Sequence, residues 1–130
     1  LELDRQAPEI IATRLRKSQE RITTAPVLII PCLYLADLDV YLDEQRQQAE
    51  TTMAIQSLGA AVQNMLLKAY GLGLDTGWMC APLFCPDVVV QALDLDPELI
   101  PHALIPLGYV AAEPKRRERL PLEELIVRWE

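Results

Sequence analysis

Apolar residues between positions 44 and 70 recur at the spacing of an α-helix. One side of this predicted helix carries Ala54, Leu58, Ala61, Val62, Met65 and Ala69. Leu66 and Leu67 widen that side, so we predict a helix that is buried on more than one side. Gly71 and Gly73 should end it, because glycine tolerates the left-handed backbone found at helix C-termini.

Two amides interrupt this apolar pattern. Gln63 and Asn64 lie inside the run, and a buried amide is costly unless it is hydrogen-bonded. We therefore expect each amide to have a defined partner, and we interpret Asn64 as a structural residue bonded to backbone.

Two continuous apolar runs, at residues 25–33 and 101–111, predict strands, and the first should be buried on both faces. Residues 77–80 predict a short strand, and residues 81–84 a turn into the next helix. We expect strands near 27–32, 77–80 and 102–110 to share one sheet that is flanked by helices. The predicted fold class is therefore α+β.

The remaining pattern predicts shorter elements. A first helix should run from Pro8 to Ile22 and end at Thr23 and Thr24, and another should span residues 86–93, where a proline and an acid begin the first turn. Residues 96–98 predict a turn, and residues 120–129 an apolar tail.

Composition excludes several classes of protein. The net charge of −7 argues against general nucleic-acid binding, which needs a basic surface. No apolar span is long enough to cross a membrane as a helix. Three cysteines and one histidine provide no zinc set of usual spacing. Free thiols predict a reducing, cytoplasmic location.

The order of these residues resembles the FMN-dependent nitroreductase family. In that family, an apolar helix carrying an Asn leads through GLG and a Trp step into a loop against the flavin. Residues 57–84, SLGAAVQNMLLKAYGLGLDTGWMCAPLF, follow this order. APVLII at 25–30, IPLGY at 105–109 and RERLP at 117–121 resemble the family's central strand, late strand and closing segment. The pattern is similar to the nitroreductase-like half of deazaflavin-cofactor glutamyl ligase.

The resemblance implies a nitroreductase-like sandwich, with a mixed sheet flanked by helices, in a homodimer. Residues 1–130 would form a single domain of this kind that lacks the family's N-terminal FMN-binding segment. The long apolar helix would form the dimer seam, with Asn64 bonded to backbone in the dimer core. The tail from Leu120 would cross to the partner.

The resemblance also implies an activity, that of an FMN-dependent NAD(P)H oxidoreductase. Such an enzyme reduces nitro, quinone or similar acceptors by ping-pong hydride transfer, and its chemistry belongs to the flavin, so no catalytic side chain is expected. The implied partners are a second copy of the chain and a small-molecule acceptor, with neither nucleic acid nor membrane.

By this resemblance, Met79, Cys80, Ala81 and Pro82 line the flavin. The backbone of Cys80 and Ala81 would lie near the ring, and Met79 and Pro82 would flank it. From the residues alone, the same segment also fits a core strand and turn in which Trp78 is filler. No redox role is assigned to the Cys80 thiol.

A second candidate site is the run of cations Lys115, Arg116, Arg117 and Arg119. From the residues alone it fits a solvated charge run, although guanidinium groups also offer paired donors to phosphate oxygens. The resemblance places Arg117 and Arg119 on the two basic positions that hold the FMN phosphate.

Two other functions fit the same resemblance. One is a non-catalytic flavin- or ligand-binding domain of this fold, and the other is a specialised flavin- or deazaflavin-related enzyme. His102, the only histidine, is interpreted as a surface or edge residue rather than a general base.

Overall fold

The computed structural model describes residues 6–110 and 118–128. The helices in these ranges are α1 (Pro8–Thr24), α2 (Glu44–Gly71), α3 (Pro86–Leu93), α4 (Leu122–Leu125) and a 3₁₀ helix (Ala81–Phe84). The strands are β1 (Val27–Ile29), β2 (Cys32–Leu33), β3 (Asp75–Thr76), β4 (Ile100–Pro101) and β5 (Ile105–Gly108).

The three long helices match the predicted ones closely. The α3 bounds agree with the prediction, and α1 continues through Thr23 and Thr24, whose hydroxyls donate to carbonyls one turn back. The α2 helix begins where Asp43 accepts a hydrogen bond from the backbone N–H of Arg46, at 2.9 Å. It ends as predicted, and Gly73 just beyond it has a φ of 76°.

The strands form two antiparallel sheets. Strands β1, β5 and β3 share one of them, as predicted for the segments near 27–32, 102–110 and 77–80, although β3 lies just before the last of these segments. The predicted mixed sheet is wrong, because every strand pairing among the described residues is antiparallel. One sheet has the order β1-β5-β3, and the other pairs β2 with β4. Both long predicted strands are divided, residues 25–33 into β1 and β2 and residues 101–111 into β4 and β5.

The two strands are divided opposite each other, at residues 30–31 of the first and residues 102–104 of the second. Ile29 is paired with Ile105, and Cys32 with Pro101, so the two residues 30–31 face the three residues 102–104. Such a one-residue excess bends a strand, as a β-bulge does. Pro31 lacks a backbone N–H and so cannot donate to the ladder, although its carbonyl accepts from His102 N–H at 2.9 Å. The mismatch therefore separates the sheets.

The core is small and aliphatic. Val62 of α2 packs with Ala103 and Ile105, and partly buried side chains of Ile29, Met65 and Leu66 cover this group. The first strand is less buried than predicted, because Val27 and Leu28 are both exposed. The face of α2 that carries Val62, Met65 and Leu66 packs against the strands, as the periodicity predicted.

The opposite face of α2 is uncovered in this chain. Met53 and Leu67 recur at helical spacing on that face and are 53% and 60% exposed. Gln63 and Asn64 are exposed too, so neither amide is buried within the single chain. A backbone partner for Asn64 in the core of a dimer stays a prediction. No residue of α1 is buried. Among the described residues, no helix is long and apolar enough to cross a membrane.

Candidate functional site

Strand β3 continues as a less regular run, residues 77–80, which leads into the candidate flavin loop formed by residues 79–82. After Thr76 pairs with Leu107, Gly77 N–H donates to the carbonyl of Pro106 at 3.1 Å. Pro106 cannot return a bond, because it has no N–H. The regular strand therefore stops at Thr76, and the predicted strand 77–80 is its irregular continuation.

Met79 fixes the far end of this continuation. Its N–H donates to the carbonyl of Leu104 at 3.1 Å, and Leu104 N–H donates to the carbonyl of Met79 at 2.8 Å. Leu104 belongs to the three-residue side of the mismatch between the sheets. The three-residue segment 102–104, which divides the sheets, therefore also contains the residue whose backbone anchors the loop, Leu104.

Side chains along the continuation alternate between the two faces of the sheet. Gly77 and Met79 are half-buried, whereas Trp78 and Cys80 are exposed. Trp78 is 44% exposed, so the interpretation of Trp78 as core filler is wrong. Its indole shares the outer face of the strand with the Cys80 thiol. The alternation of strand side chains could have identified this exposure only once the pairing of Met79 with Leu104 was known.

The predicted turn after Cys80 is a single-turn 3₁₀ helix. Leu83 N–H donates to the Cys80 carbonyl at 3.1 Å, and Cys85 N–H donates to the Pro82 carbonyl at 3.2 Å. Pro82 is buried and ties the turn to the body, while Ala81 is exposed. Ordered backbone therefore holds Cys80 and Ala81 at the surface.

The four loop residues predicted to meet the flavin are consecutive, but only Cys80 and Ala81 are exposed. Met79 and Pro82 face inward and fix the loop, and Cys80 and Ala81 face outward. Within the described parts of the chain, the backbone N–H groups of Cys80 and Ala81 donate to no acceptor. An apolar surface with two free N–H donors fits the hydrogen-bonding edge of a flavin ring.

The predicted phosphate clamp is only partly described. Arg117 lies outside the described residues, as do Lys115 and Arg116. Arg119 is exposed, and it makes no hydrogen bond or ion pair with another residue in ranges 6–110 and 118–128. Its role toward a phosphate stays a prediction, as do the roles of the loop residues.

A cleft of about 490 Å³ lies elsewhere, between the end of α1 and the β1–β5–β3 sheet. Its polar lining includes Arg21, Thr24 and Asp75, and Pro26 and Gly108 lie beside them. The candidate flavin loop does not line it. The candidate loop is therefore distinct from this cleft.

Two titratable groups near the division of the sheets have shifted pKa values. Burial lowers the pKa of His102 below its usual 6.5 and raises the pKa of the half-buried Cys32 thiol. Both shifts favour the neutral form. Cys80 and Cys85, at the two ends of the 3₁₀ helix, are free and exposed thiols. No cluster of metal-ligating side chains occurs among the described residues.

Comparison with known proteins places this geometry in a family. The model of the nitroreductase family matches residues 1–109. A BluB-like flavoprotein from Clostridium difficile has the same fold, with a TM-score of 0.69, 22% identity and coverage of 99% of this chain and 67% of its own. A candidate oxidoreductase from Bacteroides fragilis has a TM-score of 0.67, 22% identity and coverage of 85% and 47%.

A third solved structure is more similar in sequence. It is a candidate nitroreductase from Desulfovibrio desulfuricans in complex with FMN, with 34% identity and a TM-score of 0.53. The similarity covers 64% of this chain and 46% of that one. The chain thus spans about half the length of two of these three structures. The predicted nitroreductase-like α+β fold is confirmed.

Proposed function

The chain belongs to the nitroreductase family, and from this we propose that it forms part of an FMN-dependent NAD(P)H oxidoreductase. The proposed acceptors are nitro compounds, quinones or similar molecules. Support for the cofactor comes from the Desulfovibrio desulfuricans protein, which is 34% identical and was solved in complex with FMN. The single observation that carries the proposal is the free, outward backbone of the loop at Cys80 and Ala81.

The loop is suited to hold a flavin ring through its backbone. The N–H groups of Cys80 and Ala81 would donate to the ring, and the exposed indole of Trp78 would contribute apolar surface beside them. Met79 and Pro82 would act from behind, by keeping the loop in place. A donor that is already positioned costs little reorganisation when charge develops on its acceptor.

The side chains of the loop would not exchange protons with the substrate. Residues 77–84, GWMCAPLF, contain no carboxylate, imidazole, ammonium or guanidinium group. When bound, FMN supplies the hydride chemistry itself. For a quinone, the net reaction consumes NAD(P)H and one proton from solvent and yields NAD(P)⁺ and the hydroquinone. The role proposed for the loop is to orient the ring and exclude water from one side of it.

We further propose that two copies of the chain form a homodimer through α2. Met53, Ala60, Asn64 and Leu67 recur every three to seven residues on the face opposite the buried Val62. An exposed apolar stripe on a long helix is typical of a surface that a second protein covers. The exposed amide of Asn64 would then bond across this seam or at its rim.

Arg117 and Arg119 are proposed to hold the FMN phosphate, since both match basic positions of the family's closing segment. A hydrogen bond to a charged group contributes on the order of 1.5–3 kcal/mol, so losing one Arg should weaken FMN binding by about 10- to 150-fold. The test is an FMN titration by fluorescence quenching of wild type, Arg119→Ala and Lys115→Ala. Lys115 is the matched control, because it lies in the same cationic run but off the family positions.

Three outcomes of this titration are distinct. Loss of affinity in Arg119→Ala alone supports the phosphate site. Equal affinities in all three proteins would remove that site while leaving the flavin loop. No FMN binding by wild type would contradict the oxidoreductase and favour a binding domain of the same fold.

A further inference from the structure

We infer that Phe84 determines the specificity of the acceptor site by stacking on planar aromatic acceptors that lie beside the loop at Cys80 and Ala81. This inference rests on the proposed function and adds to it a residue outside the predicted flavin-lining set. Phe84 is the only phenylalanine of the chain, and it is 89% exposed.

The backbone under Phe84 is held in place. It is the last residue of the 3₁₀ helix, which is closed by the hydrogen bonds from Leu83 N–H to Cys80 and from Cys85 N–H to Pro82. Buried Pro82 fixes the opposite side of this turn. An exposed aromatic ring on an ordered turn, next to other exposed apolar side chains, is typical of a surface that binds a ligand.

The periodicity of the turn places Phe84 beside the flavin loop. A 3₁₀ helix has three residues per turn, so side chains three apart lie on the same side. Phe84 therefore shares a side with exposed Ala81, displaced by about 6 Å along the axis at a rise of about 2 Å per residue. If the flavin ring lies against Cys80 and Ala81, Phe84 lies at the edge of that ring. An acceptor that approaches the flavin there would contact Phe84.

The surroundings of Phe84 favour an uncharged, planar acceptor. Between Asp75 and Asp87 the only ionisable side chains are those of Cys80 and Cys85. An anionic group would find no cation in this stretch. Exposed side chains of Trp78 and Leu83 extend the apolar surface on either side of the loop. Aromatic rings bind such a surface by offset or edge-to-face contact.

The test compares acceptors of different shape on the flavin-loaded protein. Phe84→Ala should raise the KM for 1,4-naphthoquinone by about ten-fold, with kcat little changed, because the lost contact is made equally before and during the reaction. The KM for ferricyanide, which has no ring to stack, should stay within two-fold by the same reasoning. Phe84→Tyr keeps the ring and should restore the naphthoquinone KM.

Two further measurements separate this role from others. Binding of naphthalene-2-carboxamide, which the enzyme cannot reduce, should weaken by a similar factor in Phe84→Ala when followed by difference absorbance. Tyr109→Ala is the matched control, since it removes an equally exposed ring (83%) at the opposite end of β3. Tyr109→Ala should leave both the naphthoquinone-to-ferricyanide KM ratio and the affinity for naphthalene-2-carboxamide unchanged.

Contrary outcomes are equally distinct. Normal FMN binding with an unchanged naphthoquinone-to-ferricyanide KM ratio in Phe84→Ala would overturn the inference and leave the proposed function standing. A change in oligomeric mass in Phe84→Ala would overturn it too, because Phe84 would then serve a subunit contact. Absence of FMN binding in wild type would overturn both.

Discussion

Gly108 and Pro26 approach each other so closely that no side chain fits between them. A Cβ atom on Gly108 would lie 2.8 Å from Cδ of Pro26 and 2.9 Å from its Cγ. Pro26 immediately precedes β1, and Gly108 is the last residue of β5. The absence of a side chain at position 108 therefore allows these two strands to meet at the rim of the cleft.

The first prediction follows from this contact. Gly108→Ala should destabilise the protein by about 1–3 kcal/mol, because the proline ring is rigid and the strand must shift to admit a methyl group. The measurement is the free energy of unfolding in urea. Gly59→Ala is the control: nothing lies within 4 Å of its Cβ position in α2, so it should stabilise by about 0.5–1 kcal/mol. Equal effects of the two substitutions would contradict the close contact.

The second prediction concerns the core. Ile105 is fully buried and packs with Val62 and Ala103. Ile105→Ala should lower the free energy of unfolding by about 2–5 kcal/mol, and Ile105→Val by about 0.5–1.5 kcal/mol. Calorimetry or urea unfolding measures both. Exposed Leu125 of α4 provides a matched aliphatic site, where truncation to Ala should change stability little. A small loss at Ile105 would mean that the core lies elsewhere.

The third prediction tests the proposed dimer. Leu67→Glu places a charge at the C-terminal end of the exposed stripe on α2 and should convert a dimer to a monomer without unfolding the helix. Light scattering at micromolar concentration and circular dichroism report the two properties. Gln48→Glu adds the same charge to an exposed residue of α2 away from the stripe, and it should preserve the dimer. A monomeric wild type would refute the seam.

The fourth prediction concerns pH. Burial lowers the pKa of His102 in the folded protein below its ordinary value of 6.5. The unfolded chain therefore takes up a proton at a higher pH than the folded one, so the contribution of neutral His102 is complete above pH 6.5 and is lost as pH falls through the folded pKa. The free energy of unfolding should fall more steeply below pH 6.5 in wild type than in His102→Gln. Parallel profiles would rule this out.

The helices were predictable because local signals determine their ends. Pro8 and Pro86 begin α1 and α3. Gly73, two residues beyond the end of α2, has the positive φ angle that prevents the helix from continuing. Each of these residues acts through its own φ angle or missing N–H, so its effect can be read without knowledge of the tertiary fold.

The strand divisions and the outer face of the site depend on partners far away in sequence. The break after Ile29 exists because two residues there face three residues beyond Pro101, and no local pattern contains that count. Similarly, Trp78 is exposed because Met79 pairs with Leu104, which fixes the alternation of the loop. Apolar residues at 78 and 84 fit either a core or a ligand surface until those pairings are known.

The pairing of β1 with β5 sets a limit on how this protein can fold during synthesis. Val27 and Leu107 are partners although 80 positions separate them, and at about 5–20 residues per second the ribosome needs about 4–16 s to supply the second strand after the first. The α2 helix, whose hydrogen bonds are local, can form within that interval, whereas the exposed apolar β1 cannot find its partner. Nascent chains that stop short of β5 should therefore be the species most in need of chaperones.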